Sequence, residues 1–138
     1  MTMLNNMENQ HKEELNTLNL DFNKRGGLLP VIVQETISKD ILMLGYTNYE
    51  AYKITKATSL VTFWSTSREK IWTKGESSGD YLKLLSIRVD CDQDALLYIV
   101  EKKGLGTCHT KNKEGDPRHS CFFREYDLAK GKLILLEP

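Results

Sequence analysis

The chain has 138 residues, 40% of them hydrophobic and 28% charged, with 19 Lys plus Arg balancing 19 Asp plus Glu. That profile fits one globular domain, and the zero net charge gives no electrostatic case for nucleic acid or an anionic membrane as main partner. Apolar runs such as 95–100 are far too short to span a bilayer, the first residues lack the pattern of a secretory signal, and three cysteines, an odd number, argue against a closed disulfide framework.

A cytoplasmic location is therefore expected, and in a reducing compartment clustered thiols point to metal or catalysis. Residues 1–20 are polar and read as an extension without an assigned function, either a short helix or loose. Residues 21–138 read as a single domain. L-L-P-V-I-V-Q (28–34) and I-L-M-L-G-Y (41–46) are short apolar runs that read as a hairpin. Pro30 sits near the start of the first run, where a missing donor is tolerable. Thr47 with Glu50 three residues on matches a capping box and predicts a helix over 48–57, with Ala51, Ile54 and Thr58 facing inward.

Strands are predicted beyond it, over 60–65, 70–74, 81–90, 95–101, 121–126 and 132–136. In 81–90, Leu82, Leu84, Ser86 and Arg88 alternate with Leu85, Ile87 and Val89, the period of a half-buried strand. The connections are too short for helical crossovers. The expected fold is α+β: strand-rich, mostly antiparallel, sheet-like or barrel-like, with one main helix.

Three constellations could carry chemistry. The first is Asp90-Cys91-Asp92-Gln93-Asp94 at a strand end. In extended chain the three carboxylates share one face and Cys91 takes the other. Three carboxylates side by side suit a hard cation such as magnesium or calcium; a solvated acidic turn is the plain alternative. An EF-hand loop would put Glu101 at its twelfth position, but its sixth is Ala95 where the turn needs Gly.

The second is Cys108-His109 with Ser120-Cys121, across a polar, turn-rich loop. Thiolate and imidazole are the preferred zinc ligands. Two zinc readings compete: a closed structural site of Cys108, His109, His119 and Cys121, or three thiolates from Cys91, Cys108 and Cys121 with an open fourth position. Buried, unliganded cysteines are the third possibility. The last constellation is Trp64-Ser65-Thr66-Ser67-Arg68 followed by Trp72-Thr73-Lys74-Gly75-Glu76-Ser77-Ser78-Gly79. Hydroxyls, backbone N–H groups and basic side chains can cradle phosphates, and Trp can stack on a base. Trp64, Ser65, Ser67, Arg68, Trp72, Lys74, Glu76 and Ser77 are the candidate substrate-binding residues.

Together W-S-T-S-R, W-T-K-G-E-S-S-G, D-C-D-Q-D-A-L-L and C-H-T…S-C-F resemble, in order, the phosphoribosyl-AMP cyclohydrolase family of histidine biosynthesis. The upstream F-N-K-R-G-G-L-L-P-V-I-V-Q and L-M-L-G-Y-T-N stretches are similar too, so the resemblance runs from about Phe22 to Arg124. It implies hydrolytic opening of the adenine ring of 1-(5-phosphoribosyl)-AMP between nitrogen 1 and carbon 6. It implies zinc on Cys91, Cys108 and Cys121, magnesium on Asp90, Asp92 and Asp94, and an intertwined homodimer whose zinc site draws cysteines from both subunits. Zinc-activated hydroxide would attack carbon 6, with His109 moving the proton.

Two features depart from the family pattern. Lys111 follows C-H-T where Gly is common, and the loop before S-C-F is longer, so the resemblance assigns no role to Arg118 or His119. The second pyrophosphohydrolase activity fused to some relatives is expected to be absent. Two rival functions remain at this level: a zinc-stabilised binding module built on Cys108, His109, His119 and Cys121, and a zinc deaminase acting on another purine nucleotide.

Overall fold

β1 (Leu29–Glu35) and β2 (Ile41–Thr47) form the expected antiparallel hairpin. Leu29, Val31 and Val33 are fully buried, every second residue, as a strand with one core face requires. The computed structural model describes residues 16–138. Most of the polar extension, residues 1–15, lies outside the described residues. What is described of it, 16–20, is irregular chain.

The helix α1 (Tyr49–Thr58) follows β2 directly. Its cap is Asn48, not Thr47: Asn48 is extended and its side-chain oxygen accepts from Ala51 N at 2.8 Å. The Thr47 hydroxyl instead donates to Asn48 O, so the Thr47–Glu50 capping box does not form. Ala51 faces inward as expected, but the other buried positions are Tyr52 and Thr55, whereas Ile54 is half-buried and Thr58 exposed. The apolar stripe is rotated because Thr55 reaches into the core as a polar bridge. Its hydroxyl accepts from Thr62 N at 2.9 Å and lies 3.0 Å from Ala51 O, tying the helix to the next strand.

That strand is β3 (Thr62–Ser65), paired with β4 (Lys70–Thr73) in a two-stranded ribbon. β5 (Leu82–Val89) and β6 (Leu96–Lys102) complete a four-stranded sheet in the order β2-β1-β6-β5. Neighbours are antiparallel except β1 and β6, which run parallel. No single helical crossover links that pair; β2, α1 and β3–β5 lie between them. β7 (Arg124–Asp127) and β8 (Lys132–Leu135) form a separate hairpin.

The alternation predicted for 81–90 breaks at a register shift between Leu84 and Ser86. Leu82 is buried and Leu84 partly so, but beyond the bulge it is Ile87 that faces the core and Leu85 is exposed. A bulge adds one residue and swaps which parity points inward. The core collects Leu29, Val31, Val33, Leu42, Tyr52, Phe63, Leu82, Leu96, Tyr98 and Val100, with Phe22 and Trp72 packed on its rim. The sheet's other face carries a row in register across all four strands: Leu44, Ile32, Leu97 and Arg88. Leu44 and Ile32 are 46% and 40% exposed, so an apolar strip faces outward.

Candidate active site

The acidic motif folds as a turn between β5 and β6 and not as an extended strand end. Asp90 N donates to Ala95 O at 3.2 Å and Gln93 N to Asp90 O at 3.2 Å, with Gln93 in the left-handed region. One Asp90 carboxylate oxygen accepts from both Asp94 N and Ala95 N at 3.0 Å. The turn still does what the extended reading expected of it. Oxygens of Asp90, Asp92 and Asp94 all lie within 4.8 Å of one another, a hard-oxygen donor set that fits magnesium or calcium.

Positive charge faces this turn from an earlier segment of the chain. Lys24 Nζ lies 2.6 Å from Asp94 and 2.9 Å from Asp92, and Arg25 Nη1 lies 2.8 Å from Asp94. These two cations hold the Asp94 carboxyl well below the usual carboxylate range. The Asp90 carboxyl is pushed up instead, first by desolvation and then by its acidic neighbours. Gln93 adds a second anchor: its side chain accepts from Asn19 N and donates to Thr17 O, and its carbonyl accepts from Asp21 N at 2.8 Å. The preceding segment is thereby tied to the acidic turn. Only charge complementarity between N-K-R and D-C-D-Q-D could have signalled this contact in the sequence.

Cys108 and Cys121 are brought together. Burial and the neighbouring Cys108 push the Cys121 thiol up to about 11, while the Lys74 ammonium lies near enough to oppose this. The protonated Cys121 thiol must release its proton when a soft cation binds, since thiolate is the form such a cation selects. The Cys108 sulfur also lies 2.9 Å from the Thr110 hydroxyl, and Cys121 is fixed by its N–H donating to Leu42 O at 2.7 Å. Cys91 is exposed on the acidic turn. Among the described residues the three thiols do not converge to within 4.8 Å; only the aspartates do.

The histidines separate. His109 is exposed beside Cys108. His119 is half-buried and both ring nitrogens are engaged: Nδ1 is 2.5 Å from Lys102 Nζ and Nε2 is 2.9 Å from Asp40. A lysine ammonium can only donate, so Nδ1 accepts and the ring proton points to Asp40. His119 has no nitrogen left for a metal, which removes the geometric basis of the Cys108–His109–His119–Cys121 site.

The hydroxyl-rich stretch spans the β3–β4 ribbon and the loop after it. Ser65, Ser67, Arg68 and Trp72 line a cavity of about 250 Å³. Arg68 N donates to the Ser65 hydroxyl at 3.1 Å, and the Trp72 ring tilts against Phe63 at 5.6 Å. Trp64, Lys74, Glu76 and Ser77 do not line this cavity. Lys74 flanks the thiol pair, and Glu76 accepts from Thr73 N to close the loop. Gly75 has φ +93, and a Cβ there would collide with the backbone of Asp80 and Tyr81. Only glycine turns the chain there without strain.

A family model described as phosphoribosyl-AMP cyclohydrolase matches residues 43–123, a span that holds every candidate site residue named from the sequence. The chain belongs to the phosphoribosyl-AMP cyclohydrolase family. It is 47% identical over 110 residues to the phosphoribosyl-AMP cyclohydrolase of Archaeoglobus fulgidus, covering 80% of this chain and 94% of that one. It is 48% identical over 108 residues to the protein of that name from Streptococcus mutans, covering 78% and 93%, and 50% identical over 91 residues to that from Cenarchaeum symbiosum, covering 66% and 83%. Within this cyclohydrolase-family chain, α1 through Phe123 lies inside the matched span, whereas Lys24, Arg25 and the β7–β8 hairpin lie outside it. No described helix is long and apolar enough to cross a membrane.

Proposed function

We propose that the chain is a phosphoribosyl-AMP cyclohydrolase of histidine biosynthesis, acting in the cytoplasm. It opens the adenine ring of 1-(5-phosphoribosyl)-AMP by hydrolysis between nitrogen 1 and carbon 6. The observation that carries this reading is the Cys108–Cys121 pair, buried on one side and flanked by Lys74 of the W-T-K-G-E-S-S-G motif. Cys108, Cys121 and Cys91 would hold zinc, which when bound lowers the pKa of water toward neutrality and so supplies the nucleophile. His109, solvent-exposed and next in the chain to a proposed ligand, would accept and return the proton. Asp90, Asp92 and Asp94 would hold magnesium and, through it, a substrate phosphate.

Ser65, Ser67 and Arg68 form one polar wall of a cavity with the Trp72 ring beside it. This suits a phosphate on the guanidinium and hydroxyls, with Trp72 against the ring system. Trp64, Lys74, Glu76 and Ser77 complete the proposed substrate contacts from outside that cavity. The deaminase alternative differs in product, since ring opening releases no ammonia.

The zinc site would be completed by a second copy of the chain. Cys91 stands apart from the thiol pair, so the third ligand would be the partner subunit's Cys91. Two exposed apolar surfaces support a homodimer: Leu44 and Ile32 side by side on the sheet, and Leu133, Ile134 and Leu135 of β8. A free two-stranded ribbon is marginal in water without such cover. The decisive assay follows ultraviolet absorbance of the phosphoribosyl-AMP substrate with metal-loaded and chelated protein. Ring opening that is abolished by chelation and restored by zinc is expected; turnover unaffected by full zinc removal, or release of ammonia, would contradict the proposal.

A further inference from the structure

The fold fastens the loop between Cys108 and Cys121 to residues 137–138. Lys113 N donates to Pro138 O at 3.0 Å, and Asn112 Nδ2 to Glu137 Oε2 at 3.4 Å. His119 N donates to Glu137 Oε1 at 3.0 Å. Arg118 Nε donates to Glu137 O at 2.8 Å, and its guanidinium lies 4.2 Å from the centre of the Phe123 ring. Glu137 therefore grips both arms of the loop.

The Arg118 backbone, in turn, holds the backbone of Cys108. Its carbonyl accepts from both Thr107 N and Cys108 N at 2.9 Å, and its own N–H donates to Thr110 O at 3.0 Å. A Cβ at Gly106 would collide with the carbonyls of Pro117 and Arg118, so the arms pass at a separation that only glycine admits. On the far arm, Ser120 Oγ donates to Ile41 O at 2.6 Å and Cys121 N to Leu42 O. The Cys108 backbone is thus hung on Arg118, and the Cys121 backbone on β2.

We propose that Arg118 and Glu137 are positioning residues that set the separation of the two thiols and so the affinity of the pair for a thiolate-binding cation. This rests on the reading of Cys108 and Cys121 as metal ligands. The physical reason is preorganisation. Two neighbouring sulfurs whose backbones are already fixed lose less freedom when a cation joins them, and groups that fix ligands without touching the metal typically change its affinity 10- to 100-fold. The segment does this with backbone carbonyls and one carboxylate, none of which reaches the sulfur itself.

The test is a cobalt(II) titration of the purified full chain, read by the near-ultraviolet thiolate-to-cobalt absorption, with thermal unfolding of the metal-free protein alongside. Glu137→Ala and Arg118→Ala are expected to weaken cobalt binding by about tenfold. Glu137→Gln, which keeps the acceptor for His119 N, is expected to bind as wild type. If Arg118→Ala does not fold, Arg118→Lys is read in its place, with a smaller loss expected because a donor is kept. Wild-type affinity in Glu137→Ala and in whichever Arg118 variant folds would overturn the proposal. So would an equal loss in Glu137→Gln and Glu137→Ala. Absence of any thiolate band in the wild type would instead overturn the metal reading on which the proposal stands.

Discussion

The acidic turn and the thiol pair are built in opposite ways. Asp90, Asp92 and Asp94 come from five consecutive residues, and one tight turn brings their oxygens within 4.8 Å inside a single chain. The thiols come from Cys91 on that turn, Cys108 after β6 and Cys121 before β7, and only the last two meet. A hard-cation site can thus be preformed by local chain geometry, whereas a soft-cation site of these thiols needs long-range packing and, on our proposal, a second subunit. The two should respond differently to mutation, to dilution and to metal exchange.

The largest expected effect falls on the thiols. Cys108→Ser should remove zinc and lower kcat/KM by about a thousandfold or more, while leaving the acidic turn able to bind magnesium. Metal analysis after gel filtration together with turnover checks this, and retained zinc at full rate would erase the distinction between the regions. Asp94→Asn should do the reverse, weakening magnesium or manganese binding by at least about tenfold with zinc retained, as measured by manganese electron spin resonance. A smaller effect is expected of Asp90→Ala, which strips acceptors from Asp94 N and Ala95 N and should cost about 1 kcal/mol in urea unfolding.

The smallest effect serves as a control in the buried core. Tyr98 is fully buried and its hydroxyl has no partner among the described residues. Burial pushes its phenol far above its ordinary value near 10. The unfolded chain therefore ionises first as pH rises past about 10, so the folded state loses stability above that pH. Tyr98→Phe should flatten this alkaline loss, leave both metals bound, and change neutral-pH stability little, because no hydrogen bond is removed. A steep alkaline loss that persists in the variant would place its source elsewhere.

Much of this architecture was legible because periodicity is local. The hairpin of β1 and β2, the helix and most later strands follow from apolar spacing and β-branched content, whereas the strand expected over 121–126 begins only at Arg124, because Cys121 is held by β2 through Leu42 O. What was not legible depends on contacts between distant segments. The bulge after Leu84, which turns Ile87 inward, is set by pairing with β6 and leaves no mark in the alternation of β5 itself. Asn48 displaces Thr47 as the cap because β2 keeps Thr47 fully buried as its last residue. The same division holds at the site. The aspartate cluster could be read from its spacing, but Lys24 and Arg25 reach it from a segment far away in sequence. His119, read as a possible zinc ligand, is instead clamped between Lys102 and Asp40.

The central claim, that one zinc site is shared between two subunits, is tested most directly by mixing two inactive variants. Cys91→Ser and Cys108→Ser proteins would each be inactive alone, since every site in either homodimer lacks one thiol. After unfolding, mixing in equal amounts and refolding, random pairing makes about half the dimers mixed, and each mixed dimer carries one intact site. The mixture is predicted to recover about a quarter of wild-type activity together with a matching fraction of bound zinc. No recovery of either, from mixed dimers confirmed by native mass spectrometry, would contradict the shared site.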